Sequence, residues 1–319
     1  MPKLAHSFAY ELRPEPPFDF GLTVRKPAGW SLFTPCERFE GATLWTATHL
    51  KGRLAGIKLA SRGTTARPRI AVRVFFAERP TRARAEEARA LVNDALGAED
   101  GLGDFYAMAR RDRILAPTVR DLRGMHDTSS CTLFSEACLA ILLQMAPLER
   151  SNAMMSALIS RYGPIAEFDR RRIRAWPTPE RIARLRAGEL ARRCKVGYRA
   201  KYLVALAKEL AAGDFPSIEQ LRAMPADEAK LRLMELPGIG DYSADIINPH
   251  GGFPIDAWSV EVFSKLLYGK APAHNRAAIE KVKRDGLRRW GRWAWMAFFY
   301  VVQDLPKLSE VLGMDLRLQ

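Results

Sequence analysis

Leu236-Pro237-Gly238-Ile239-Gly240, followed by Asp241-Tyr242-Ser243-Ala244-Asp245, most limits what this chain can fold into. Glycines at 238 and 240 permit positive φ and, lacking Cβ, let another group approach the backbone closely. Pro237 fixes φ at the entry to the turn. Ala229 to Glu235 reads as helix, and Asp241 to Ile247 as the start of another. A glycine hairpin between two helices leaves the first N–H groups of the second helix unpaired, a ready site for a phosphate. Sixteen residues beyond Gly240 stands Asp256, in Phe253-Pro254-Ile255-Asp256-Ala257-Trp258. A phosphate-binding hairpin with a carboxylate at this distance is the feature that points to function.

The rest of the chain divides by period. Residues 1–17 are proline-spotted and read as an extended lead-in. From Phe18 to about Ala77 the pattern is β. Phe18 to Val24 alternates in part, Thr43–Leu50 and Leu54–Ala60 are short runs divided by Lys51-Gly52, and Arg69–Phe76 puts Ile70, Val72, Val74 and Phe76 on one face. Short strands and tight turns predict a small antiparallel sheet that needs cover on one face, with the adjacent helices as cover. From Thr81 the period is helical. Thr81–Leu96, Gly101–Arg111 (ending before Ala116-Pro117), Phe134–Gln144, Leu148–Arg161, Arg276–Trp290 and Trp293–Gln303 read as helices. Thr178-Pro179-Glu180 supplies an N-cap with proline in the first turn, and Ser217 to Gln220 a capping box. The predicted class is α+β: a β-rich N-terminal domain over 1–80, then a mainly all-α body over 81–319. The helix from Thr81 is also able to pack back on the sheet.

The net charge of +14 and a pI near 9.9 favour a polyanionic partner, nucleic acid or anionic membrane. No apolar run approaches the roughly 20 residues of a membrane span. The start, Met1 to His6, lacks the apolar region of a secretory signal, so the expected location is cytoplasmic, at the nucleoid in a prokaryote. Cys36, Cys131, Cys138 and Cys194 form no C-x-x-C and read as reduced thiols. His6, His49, His126, His250 and His274 are scattered, and no zinc or iron–sulfur pattern is visible.

Leu236 to Gly240, Ala244-Asp245 and Pro254-Ile255-Asp256 together resemble the signature of the helix-hairpin-helix DNA glycosylases. Phe134 to Gly163, Trp176 to Glu180 and Val196 to Tyr202 are similar to further family segments, so the resemblance runs over about 18–303 in order. The β-rich N-terminus matches the branch of the 3-methyladenine II type and, less closely, the 8-oxoguanine glycosylases. The branch with a C-terminal four-cysteine cluster does not fit, because the last cysteine is Cys194.

The resemblance implies roles. Breaking an N-glycosidic bond builds positive charge on the sugar, and Asp256 is the carboxylate that would stabilise it. Asp256 also reads as a helix N-cap, and the two roles are compatible. Gly238, Ile239 and Gly240 would offer N–H groups to a DNA phosphate. The carbonyls of Met234, Leu236 and Ile239 would hold a monovalent cation, sodium or potassium; no other cofactor is implied. Tyr242 stands where the glycosylase/lyases carry a Schiff-base lysine, and no lysine lies between Lys230 and Lys265. Tyr242 is either a stacking partner for the flipped base or a buried tyrosine. Trp258 lines the base pocket or fills the core. Met145 is a wedge between base steps or a core methionine, with Gln144 beside it for a base or sugar edge. Arg170-Arg171-Arg172-Ile173-Arg174 is a phosphate contact or a solvated turn, and the aromatics from Trp290 to Tyr300 read as core.

The expectation is a monofunctional, monomeric DNA glycosylase without AP-lyase activity, acting on duplex DNA with a damaged, alkylated base. Alkylated purines are cationic, leave readily, and suit an electron-rich pocket. The alternatives are excision of 8-oxoguanine or a deaminated base, or a catalytically silent hairpin DNA-binding protein.

Overall fold

Lys51 and Gly52 both have positive φ, +46° and +72°, as a two-residue hairpin turn demands. That turn sets the register of the central strands in the computed structural model, which describes residues 3–28, 36–272 and 276–316. In chain order the elements are β1 (His6–Leu12), α1 (Phe20–Val24), β2 (Arg38–Glu40), β3 (Thr43–Leu50), β4 (Arg53–Ser61), β5 (Ile70–Phe76) and α2 (Arg82–Ala95). Then come α3 (Gly103–Ala109), α4 (Leu115–Asp121), α5 (Leu133–Leu143), α6 (Leu148–Tyr162), β6 (Ile165–Phe168), β7 (Arg171–Arg174), α7 (Pro179–Ala183), α8 (Ala187–Cys194) and α9 (Arg199–Ala212). The chain closes with α10 (Ile218–Ala223), α11 (Ala226–Met234), α12 (Asp241–Ile247), α13 (Ser259–Tyr268), α14 (Arg276–Trp290), α15 (Ala294–Gln303) and α16 (Leu305–Leu312). The class is α+β, as expected. Two compact units form: Met1–Gly101 with Gly124–Ile218 and Leu236–Gly238, and Leu102–Arg123 with Glu219–Glu235 and Ile239–Gln319.

The first unit holds an antiparallel sheet of order β1-β5-β4-β3-β2. Ile70, Val72, Val74 and Phe76 share one face, as predicted, and pack with Leu44, Ile57 and Leu59 against Ala88, Val92 and Ala95 of α2. Arg79-Pro80 therefore lies inside this unit, because α2 completes the sheet's core. The opposite face is covered too, which the sequence did not suggest. Trp45, Ala47 and Phe75 meet Ala166, Phe168 and Ile173 of the β6–β7 hairpin. A Cβ on Gly56 would lie 2.5 Å from the Phe168 ring, so glycine is what lets the hairpin seat.

Three expectations need correction. Residues 1–17 are not simply a lead-in: β1 pairs with β5, His6 opposite Phe76 through Leu12 opposite Ile70. Phe18–Val24 contains a helix rather than a strand, because Asp19 accepts the Leu22 N–H (2.9 Å) and caps it. The helix expected over Gly101–Arg111 does end before Ala116-Pro117, as α3, and Pro117 sits in the first turn of a further helix, α4, where a missing N–H costs nothing. The arginine run is mostly strand β7. Arg171 makes two bonds to Glu40 (2.9 and 2.7 Å) and lies 4.0 Å over Trp45, so its charge is already engaged.

The second unit is helical. Phe253 packs edge-on against Phe263 and Trp290, and Phe263 stacks on Phe298; of the C-terminal aromatics Trp290, Phe298, Phe299 and Tyr300 are core as expected, while Trp293 and Trp295 are half-buried. A Cβ on Gly286 would meet the Phe253 ring at 2.2 Å, so α14 passes close over the segment that leads to Asp256. Among the described residues no helix is long and apolar enough to cross a membrane. Cys138 and Cys194 are buried free thiols, and burial pushes Cys194 up to about 11.

Asp304, between α15 and α16, is 5% exposed, and its Oδ2 has no hydrogen-bond partner. Burial, and then the Asp121 carboxylate, push its acid up to about 6, against the opposing charges of Lys307 and Arg120. The folded chain thus keeps this proton to a higher pH than the unfolded chain does. The contribution is most favourable below the ordinary aspartate range and is lost as pH rises through about 6. Asp304→Asn should therefore be more stable than the parent by about 1–2 kcal/mol at pH 7.5, with the gap closing below pH ~4. Urea unfolding at the two pH values measures it.

Candidate active site

Asp256 follows two buried anchors, Phe253 and Ile255, which hold the segment while the half-buried Asp256 faces away from the core. Its Oδ1 accepts the Trp258 N–H (3.0 Å) and the Ser259 N–H (2.8 Å), and its carbonyl accepts the Val260 N–H (3.0 Å). These are the contacts of an N-cap residue at the start of α13. Ser259 closes the arrangement: its Oγ accepts the Asp256 N–H at 2.8 Å and lies 2.9 Å from Oδ1. This is a reciprocal capping box with serine in place of the usual longer acid or amide. The Asp-x-x-Ser spacing was the available signal, and the sequence reading passed over it. Oδ2 accepts no hydrogen bond from the described residues. The carboxylate is thus held by one oxygen and presented by the other.

Tyr242, in the first turn of α12, belongs to the same unit. Burial, and then the charge of Asp256, push its phenol above the ordinary range, so it stays protonated. Its hydroxyl has no partner among the described residues. Trp258 is half-buried in the turn entering α13, and its ring pairs with no described aromatic. The structure leaves it available to a pocket or to packing. His250 is exposed, its N–H donating to Asn248 Oδ1 (3.1 Å).

The sequence reading missed a four-charge cluster around α12. Lys230 reaches Asp241 (2.6 Å) and Asp245 (2.7 Å), and Lys283 pairs with the same two carboxylates. Asp241 and Asp245 stand one helical turn apart, so one face of α12 presents both. Burial lowers the Lys230 ammonium, but the two aspartates outweigh it and hold the group above its ordinary value. Burial alone would raise the Asp241 carboxyl; Lys230 and Lys283 hold it below its ordinary value.

In the first unit, Gly238 has φ +83°, and a Cβ there would lie 2.7 Å from Tyr202 Cβ and 3.2 Å from Ile141 Cδ1. The Gln144 amide donates to Gly238 O (2.8 Å), and the Arg199 guanidinium donates to Gln144 O. Gln144 is thus engaged within the protein through its amide nitrogen, rather than offering that donor to a base. Met145 beside it is 70% exposed, with φ +47°. The core alternative for Met145 is excluded. Left-handed backbone at a non-glycine costs on the order of 1–2 kcal/mol, and an exposed methionine returns nothing to the core. Tyr198, 51% exposed, stands next to Arg199, whose guanidinium lies 4.7 Å over the Tyr198 ring.

The hairpin's two glycines differ. Gly240 has φ −101°, which any residue adopts, and a Cβ there would meet nothing within 4 Å. The expectation of positive φ holds at 238 only. The N–H groups of Gly238, Ile239 and Gly240 find no acceptor among the described residues, and the carbonyls of Met234, Leu236 and Ile239 accept no hydrogen bond from them.

A 3-methyladenine DNA glycosylase structure from Archaeoglobus fulgidus superposes with TM-score 0.75 at 19% identity, covering 92% of this chain and 98% of that one. The Clostridium acetobutylicum 8-oxoguanine glycosylase/lyase, solved with duplex DNA containing cytosine opposite 8-oxoG, gives 0.70 at 16% identity, covering 94% and 98%. The fold is that of the helix-hairpin-helix DNA glycosylases. In sequence, a DNA-3-methyladenine glycosylase of Bacillus subtilis (strain 168) is 24% identical over 221 residues, 68% of this chain and 71% of that protein. No family model matches the chain. Within this glycosylase fold, Gly238 is set by packing and Gly240 is not. Gly238→Ala should lower the unfolding free energy by about 2–4 kcal/mol and Gly240→Ala by less than about 1 kcal/mol in urea titrations.

Proposed function

We propose that this protein is a monofunctional DNA glycosylase that flips a damaged, alkylated base from duplex DNA and hydrolyses its N-glycosidic bond. The observation that carries this reading is the Asp256 carboxylate, with Oδ1 held by backbone N–H groups and Oδ2 unclaimed, in a chain with the glycosylase fold. As the base departs, positive charge grows on the deoxyribose. A carboxylate already fixed in place stabilises that charge without reorganising. Water then adds at C1′, leaving an abasic site, and Asp256 orients or deprotonates it. The protein acts as a monomer, in the compartment that holds the chromosome.

The hairpin supplies position. The free N–H groups of Gly238, Ile239 and Gly240 would take a phosphate. Gly240 supports this most directly, since nothing in the fold asks for glycine there. Met234, Leu236 and Ile239 would hold a monovalent cation through their unclaimed carbonyls; when bound, it adds positive charge beside the phosphate. Met145 would fill the gap left by the flipped nucleotide, which gives its exposure and strain a reason. Tyr242 would stack on the base, its neutral phenol giving a π face to a cationic purine.

The absence of lyase chemistry in this proposal is supported by where the amines are. Tyr242 replaces the lysine position, and Lys230 and Lys283 are each shared by two aspartates. A nucleophilic amine must be neutral, and Lys230 is held protonated. The alkylated-base assignment draws support from the relative in Bacillus subtilis named for 3-methyladenine and from the leaving ability of cationic purines.

Asp256→Asn should lower single-turnover base release from dimethyl-sulfate-treated duplex by more than about 100-fold while leaving salt-sensitive DNA binding within about twofold. A variant that releases bases at the parent rate would remove Asp256 from the mechanism. Borohydride added during turnover should trap no protein–DNA adduct, and an adduct would contradict monofunctional chemistry. Met145→Ala should weaken binding to abasic duplex by about tenfold, and Gly240→Ala should weaken binding to all duplexes alike.

A further inference from the structure

We propose that Ser259 is a positioning residue for base release: its buried hydroxyl locks the Asp256 carboxylate so that Oδ1 is committed to the helix and Oδ2 alone is offered to the sugar. The proposal rests on the glycosylase reading above. It extends that reading to a residue whose side chain touches neither base nor sugar.

Ser259 Oγ contacts the main chain and the side chain of the same residue, at 2.8 Å from Asp256 N and 2.9 Å from Asp256 Oδ1. One atom bridging a residue's own N–H and its carboxylate closes a ring around Cα–Cβ and fixes χ1. Backbone donors alone leave more freedom. The Trp258 and Ser259 N–H groups both approach Oδ1, and neither ties the carboxylate to its own main chain. The hydroxyl has one proton and two acceptors in reach, Oδ1 at 2.9 Å and Pro254 O at 3.2 Å. The shorter contact is to the charged oxygen, which is also the stronger acceptor. Ser259 is fully buried, so no water competes for that bond. An ordinary helix cap needs none of this, since an aspartate with two backbone donors already caps α13. The added hydroxyl defines where the unclaimed oxygen points. Misplacing a reacting group by a fraction of an ångström is costly in rate and nearly silent in binding.

The test compares wild type, Ser259→Cys and Ser259→Ala. The probe is duplex DNA treated with dimethyl sulfate, and released methylpurines are quantified over a range of duplex concentrations. Cysteine keeps the volume of the site but is a weak donor and a weak acceptor, so it removes the lock without opening a cavity. The expected result is a fall in kcat of about tenfold to a hundredfold in both variants, with KM within about twofold of wild type. Thermal unfolding of the cysteine variant monitors the fold. Wild-type kcat in the cysteine variant, or a loss carried by KM, would assign Ser259 to packing alone and overturn the proposal. A wild-type protein that releases no base would overturn the glycosylase reading and this inference with it. A wild type that releases bases, with Ser259→Cys its equal, overturns the inference alone.

Discussion

Residue 238 has no room for a side chain. Its Cα faces Tyr202 and Ile141 so closely that a Cβ would lie 2.7 and 3.2 Å from them, and its φ of +83° excludes most residues independently. Two constraints with different physical origins converge on one glycine. From it a short chain of contacts runs outward: Gly238 O accepts the Gln144 amide, and Gln144 O accepts Arg199, itself almost fully buried. The next residue, Met145, ends that chain as an exposed apolar side chain on left-handed backbone. A rigid support behind a strained, exposed residue is what the wedge role proposed for Met145 would need.

The second unit solves an electrostatic problem. Asp245 is 2% exposed, and a carboxylate that deep needs compensation. Lys230 and Lys283 supply it and bind Asp241 as well, so two positive and two negative charges close on one another. The chemical consequence is larger than the structural one. The amines around α12 are each shared by two carboxylates, while one oxygen of Asp256 accepts no hydrogen bond from the described residues. That arrangement supports the proposed reading, in which a carboxylate stabilises a sugar cation and no amine attacks it.

Much of this was legible in the sequence where the signal is local. Lys51-Gly52, the alternation through Ile70 and Phe76, the apolar run of α5 and the proline-bounded hairpin each carry their own period or turn chemistry. Legibility failed where a distant partner decides. His6–Leu12 carries a period-two pattern in Phe8, Tyr10 and Leu12, which lie against the sheet's core, but only its pairing with the distant β5 makes it a strand rather than a lead-in. The arginines of β7 read as a solvated turn because the sheet face that buries Ile173 and engages Arg171 is assembled from residues far earlier in the chain, among them Trp45 and Phe75. In the site, Asp256 and the hairpin stood out by spacing. Lys283 and Arg199 had no local sign at all, since each matters only through a contact made by folding. Ser259 was readable, as the fourth position of a capping box, and was missed because the box usually ends in Glu or Gln.

Gly238 and Gly240 look interchangeable in the sequence and are opposites in the structure. The fold explains the first completely: its dihedral, its neighbours and its carbonyl's partner are all accounted for. It explains nothing about the second, which has an ordinary φ and open space where a Cβ would be. Met145 belongs with Gly240 in this respect, because the core gains nothing from it and the backbone beneath it is strained. A residue whose identity the fold neither requires nor rewards is best explained by something outside the chain. For Gly240 that is a group approaching the backbone too closely for a side chain, and for Met145 an apolar surface that covers it. On the proposed reading, a phosphate would supply the first of those surfaces and the face of an unstacked base the second.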